Sequence, residues 1–194
     1  MKLRVLLVPV LLVPLVACAV LPTASPDAKS GTTVVPTTTT LSGVLRLNHD
    51  EFSFEYPTAW KNRAERWPDY VPHNPEFDTD QLALVSGPVA SFFVGQRELP
   101  SGSTLREVYH ETYDALESSL SLFEVISQSS ATVDGQEAHV ITYQRFWGEP
   151  LVQQRDLWIE RDGHIYILSC RAYPGDFDSA QADFDAIIAS FRLK

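Results

Sequence analysis

From about residue 44 onward, short stretches of alternating apolar and polar residues are closed by tight-turn dipeptides. Such a chain folds into antiparallel sheet, because side chains two positions apart share a face and short turns join neighbouring strands. The pattern predicts strands over residues 44–47, 51–56, 81–86, 89–94, 124–133, 137–145, 151–160 and 164–171. In the second of these, Phe52, Phe54 and Tyr56 fall on one face, and Pro57 ends it. Asn48, His49 and Asp50 carry turn chemistry between the first two. Gly87-Pro88 separates a candidate hairpin, Asp134-Gly135 ends a strand, and Asp162-Gly163 is the clearest hairpin turn.

Two segments break the period. Thr104-Leu105-Arg106-Glu107 is a capping box, and Leu105, Val108, Thr112 and Leu116 follow at helical spacing. Asp178-Ser179-Ala180-Gln181 is a second box, opening a helix with Phe184, Ile187, Ile188 and Phe191 on its apolar face. Hairpins with two long helices define an α+β fold in which the helices must cover the sheet. No internal repeat is present.

The first 42 residues differ in kind. Lys2 and Arg4 precede an apolar run over residues 5–16, which is shorter than the roughly 20 residues of a membrane span and is interrupted by Pro9 and Pro14. Leu15-Val16-Ala17-Cys18 follows. The whole resembles a bacterial lipoprotein signal peptide with its lipobox. That resemblance implies cleavage before Cys18, with Cys18 diacylated (palmitate among the acyl chains) and firmly membrane-anchored. The expected organisation is a signal peptide over 1–17, a lipidated Cys18 with a Thr/Pro-rich tether over 18–42, and one globular domain over 43–194. The tether has too little apolar surface to offset its ordering entropy. The expected location is the cell membrane, on the side facing away from the cytoplasm.

Net charge is −10, and loss of Lys2 and Arg4 takes it to −12. So acidic a domain is repelled by nucleic acid and by anionic headgroups, which excludes nucleic-acid partners. With Cys18 lipidated, Cys170 has no partner for a disulfide. Cys170 alternates with Leu168 and Tyr166 and reads as a small core residue.

Four stretches together resemble PsbP-like domains. They are Phe52-Ser53-Phe54-Glu55-Tyr56-Pro57-Thr58-Ala59-Trp60-Lys61, Val133-Asp134-Gly135-Gln136-Glu137-Ala138, Asp162-Gly163-His164-Ile165-Tyr166-Ile167-Leu168, and the run from Phe184 through Ile187-Ile188-Ala189-Ser190-Phe191-Arg192. The resemblance covers residues 43–194 and implies a central antiparallel sheet flanked by helices on both faces. Its members include extrinsic subunits of the photosynthetic oxygen-evolving machinery and many lipoproteins, so it carries fold further than function.

Candidate chemistry is sparse. His110-Glu111-Thr112-Tyr113-Asp114 is one residue short of a zinc-protease motif, and the helical wheel turns His110 to solvent. The loop over residues 61–80 gathers His73, Glu76, Asp78 and Asp80 near Trp67 and Tyr70. His73, Asp78 and Asp80 are the candidate ligands of a weak divalent cation. Arg145, Trp147, Gln153 and Arg155 flank the hairpin over 137–160, and Trp147 with Arg155 is the candidate partner surface. No nucleophile elbow, phosphate loop or dinucleotide fingerprint is present. The expectation is a non-enzymatic, lipid-anchored module that docks on or helps assemble a membrane protein complex. A small-ligand or metal-binding lipoprotein is the alternative, and a photosystem-associated extrinsic protein a further one.

Overall fold

The computed structural model describes residues 43–63, 73–74, 77–120, 122–146 and 150–194. The described residues form two antiparallel sheets and two long helices. The small sheet has the order β1-β2-β11, from Val44–Asn48, Phe52–Pro57 and Arg192–Leu193. The large sheet uses β3 (Lys61–Asn62), β4 (His73–Asn74), β5 (Thr79–Ser86) and β6 (Ala90–Glu98). Its remaining strands are β7 (Phe123–Val133), β8 (Gln136–Phe146), β9 (Leu151–Arg161) and β10 (His164–Ala172). The order is β3-β5-β6-β10-β9-β8-β7, with β4 also pairing β5.

Helix α1 (Leu105–Ser119) carries the chain from β6 to the far edge, where β7 begins. The chain then meanders back through β8 and β9, so that β10 pairs with both β9 and β6. At the β7–β8 and β9–β10 turns both central residues have positive φ: Asp134 and Gly135, then Asp162 and Gly163. That backbone matches the twist of the strands it joins.

Successive residues of a strand point to opposite faces, and both faces of the large sheet are covered. On one face α1 lays Leu105, Val108, Tyr109, Tyr113 and Leu116 against Ile141, Tyr143, Trp158, Ile165 and Ile167. On the other, α2 (Pro174–Ser190) and β2 cover Val94, Val140, Leu157, Ile159, Leu168 and Cys170. Phe54 sits at the centre of that second core, with Phe92 edge-on at 5.2 Å.

The α+β antiparallel expectation meets a chain richer in strand than a helix-flanked sandwich implies. The small sheet shares one face of the large sheet with α2, and the reason is local. The aromatic run of β2 buries both of its faces, Phe52, Ser53 and Phe54 in succession, packing with α2 as well as pairing with β1 and β11.

The first capping box forms as read: Glu107 N–H donates to Thr104 Oγ1 at 3.3 Å, and Thr104 N–H donates to Glu107 Oε2 at 2.8 Å. The second does not open its helix. α2 begins a turn earlier, at Pro174, with Tyr173 as N-cap and no side-chain cap. The fixed φ of proline suits a first helical position, where no N–H is needed, so Asp178 falls inside the helix. The buried stripe of α1 runs through Tyr109 and Tyr113 rather than Thr112.

Candidate functional site

Three places gather chemistry on this frame. The first lies under α1. Asp156 points inward from β9 and is wholly buried. The hydroxyls of Tyr113 and Tyr143 both donate to its Oδ2 at 2.8 Å, and Gln154 Nε2 donates to Oδ1 at 2.9 Å. Trp158 Nε1 in turn donates to the Tyr113 oxygen at 2.9 Å, and Arg171 Nε to Gln154 Oε1 at 3.1 Å. Burial first, and the Asp156 charge second, push both tyrosine hydroxyls well above their usual range. A carboxylate that accepts three hydrogen bonds in the interior ties α1, β8 and β9 together, and nothing outside reaches it.

The second place lies between α2 and the sheet. A cleft of about 190 Å³ is lined by Val133, Val140, Leu157, Ile188, Arg155 and Asp185, among others. At its base Arg155 Nη2 donates to Asp185 Oδ1 at 2.7 Å. Arg155, a candidate for the partner surface, is thus largely enclosed, its side chain 12 % exposed. Cys170 stands across from it in the β9–β10 register. Burial pushes the Cys170 thiol up to about 12, although the neighbouring guanidinium pulls the other way. Cys170 therefore stays a thiol at neutral pH, as a core residue does. Native chain treated with a thiol reagent near pH 7.5 is expected to leave Cys170 unmodified, and urea-unfolded chain to modify it fully, as read by peptide mapping.

The third place is the start of β5. Backbone register sets His73 opposite Asp80. Asp78 occupies a left-handed turn position, and its carboxylate lies 3.5 Å from Arg97 Nη2. The cation of Arg97 thus competes for one of the three candidate ligands. Among the described residues no group of three His, Cys, Asp or Glu side chains converges. His110 is exposed on α1, as the wheel implies. Cys18, the segments over 1–17 and 18–42, Trp67, Tyr70, Glu76 and Trp147 lie outside the described residues. Among the described residues, no helix is long and apolar enough to cross a membrane.

The Asp156 cluster and the Asp185 partner of Arg155 are absent from the expectations drawn from local sequence. Gln154, Asp156 and Trp158 alternate along β9 like a solvated face, and only the aromatic Trp158 hinted that the face is inside.

The order of elements and this distribution of core residues define an α+β fold built on antiparallel sheet, and comparison with known proteins supplies its family. The model of the PsbP-like protein family matches residues 42–193, and the chain belongs to that family. A search of curated proteins finds no match. The solution structure of cyanobacterial PsbP (CyanoP) from Synechocystis sp. PCC 6803 is similar, with TM-score 0.56 and 16 % identity, over 88 % of this chain and 100 % of that one. LpqN, involved in cell envelope biogenesis of Mycobacterium tuberculosis, is similar with TM-score 0.52 and 13 % identity, over 79 % of this chain and 92 % of that one. At such identities the likeness is one of fold.

Proposed function

We propose that this protein is a lipid-anchored, extracytoplasmic interaction module, non-enzymatic, that docks on or helps assemble a membrane protein complex. One observation carries the reading. Among the described residues, Asp156 and Cys170 are turned into the core and Arg155 is largely enclosed, and Asp156 and Arg155 tie α1 and α2 to the sheet. What the domain offers outward is surface, including an apolar group at the start of β7 and the end of β8. The Leu15-Val16-Ala17-Cys18 stretch and its preceding apolar run support the anchor. The described fold of LpqN, a protein of cell envelope biogenesis, is compatible with such a role.

Crosslinking of the membrane-anchored protein, affinity recovery and mass spectrometry test it, with Cys18→Ala as control. The expected result is a defined membrane complex recovered only when Cys18 is intact. Recovery of the chain alone sinks the assembly role and favours the runner-up, a weak cation or small-ligand site at His73, Asp78 and Asp80. The register of His73 against Asp80 is the observation on that side.

A further inference from the structure

We propose that β7 is a self-association edge: two copies of the chain pair their β7 strands antiparallel about a two-fold axis, making one continuous sheet. β7 ends the strand order of the large sheet and pairs only β8 among the described strands. It is eleven residues long, whereas β3 and β4, at the other end of the same sheet, have two residues each. An edge strand presents alternate backbone N–H and C=O groups outward, ready for another strand. Of the usual guards of an edge, lysine, proline and shortness are absent from Phe-Glu-Val-Ile-Ser-Gln-Ser-Ser-Ala-Thr-Val, which carries one charge, Glu124, and one bulge near its start.

Among the described residues, half of the exposed large apolar side chains lie at this edge. Leu122, Val125 and Ile126 are 55 %, 40 % and 49 % exposed, and Phe146, at the adjoining end of β8, is 39 % exposed. A bulge between Val125 and Ser127 leaves Ile126 without a partner residue on β8. The bulge bends the strand but does not end it, since pairing resumes at Ser127 and continues to Val133.

Charge decides what occupies the edge. The chain has net charge −10, so a second copy is repelled by most of its surface and can approach only over a neutral patch. β7 is such a patch, with Glu124 its single charge. Antiparallel pairing centred on Gln128 sets Val125 and Ala131 of the two copies face to face, and likewise Glu124 and Thr132. The two Glu124 carboxylates then stay about 27 Å apart along the strands, at about 3.4 Å per residue. A two-fold contact is self-complementary by construction, and this strand meets that condition without a like-charge clash. A basic partner would be drawn to the acidic surface elsewhere and gains nothing from a neutral edge.

The test is sedimentation equilibrium of the full chain in density-matched non-ionic detergent, from about 1 to 100 µM. Wild-type chain is expected to reach twice the protomer mass. Ile126→Lys and Ser130→Lys each place a cation on the exposed edge, and each is expected to weaken the dimer about tenfold or more. Both positions are exposed, so circular dichroism of each monomer is expected to match wild type. Wild-type chain that stays monomeric throughout overturns the proposal, as does a dimer that survives in both folded variants. A monomer that instead binds a synthetic extended peptide at β7 also overturns it, in favour of a foreign strand. None of these outcomes depends on whether a membrane complex is recovered.

Discussion

Asp156→Ala is expected to cost about 4 kcal/mol of folding stability. The substitution strands three buried donors at once: the hydroxyls of Tyr113 and Tyr143 and the amide of Gln154. Each unsatisfied buried group costs about 1–3 kcal/mol, and partial collapse around alanine recovers some of the sum. Set against the roughly 5–15 kcal/mol typical of a whole domain, this is a large share of the total stability. Tyr143→Phe removes one donor and leaves the carboxylate two partners, for about 1 kcal/mol. Urea midpoints at unchanged m-value give the comparison. A loss below about 1 kcal/mol for Asp156→Ala would falsify the idea that this cluster holds α1 to the sheet.

The same cluster sets an alkaline limit. Both tyrosines titrate well above the ordinary 10.0 in the folded chain, because of burial and then the Asp156 charge. Folded chain therefore retains protons that unfolded chain gives up, and stability is full below pH 10 and falls as pH rises beyond it. The double variant Tyr113→Phe, Tyr143→Phe starts less stable and loses less over that range.

The second large effect is expected at Trp60→Ala, about 4 kcal/mol. Trp60 is 3 % exposed, stands edge-on to Phe184 at 6.0 Å, and donates from Nε1 to Asp183 Oδ2 at 3.0 Å. It bolts the segment after β2 to α2, so its loss opens a cavity in the larger core and frees the helix. Gly87 is fitted to the same ring. A Cβ there would stand 2.7 Å from two ring atoms of Trp60, so Gly87→Ala must displace the indole. That overpacking is expected to cost about 2 kcal/mol in wild-type chain and close to nothing in the Trp60→Ala background. Additive costs in that double-mutant cycle would show that the ring and the glycine do not meet.

Strands were the most legible part of the chain, because alternation and turn dipeptides are local signals. The Asp162-Gly163 and Asp134-Gly135 turns fall where they were read, and the Thr104 capping box opens α1. The buried face of α1 is not legible locally, because Tyr113 sits within a polar-looking motif and its burial depends on Asp156, 43 positions away. A buried acid on a strand has the same letter as a solvated one. Its partners come from α1 and β8, so only the tertiary fold distinguishes the two. Arg155 has the local setting of an outward residue for the same reason, since Asp185 lies 30 positions further on. β7 is legible as a strand but not as an edge, because edge and centre have the same alternation and strand order follows from the crossover of α1.

The small sheet joins the beginning of the domain to its end. Ser190 Oγ accepts from Glu55 N–H at 2.8 Å across 135 positions, and Leu193 pairs with Phe52. A ribosome delivers β2 early, and its cover arrives only with α2 and β11. The domain thus closes like a clasp whose second half is made last, and contacts of such long range slow folding. Wherever the chain is held extended, the lock can engage only once its last element is free.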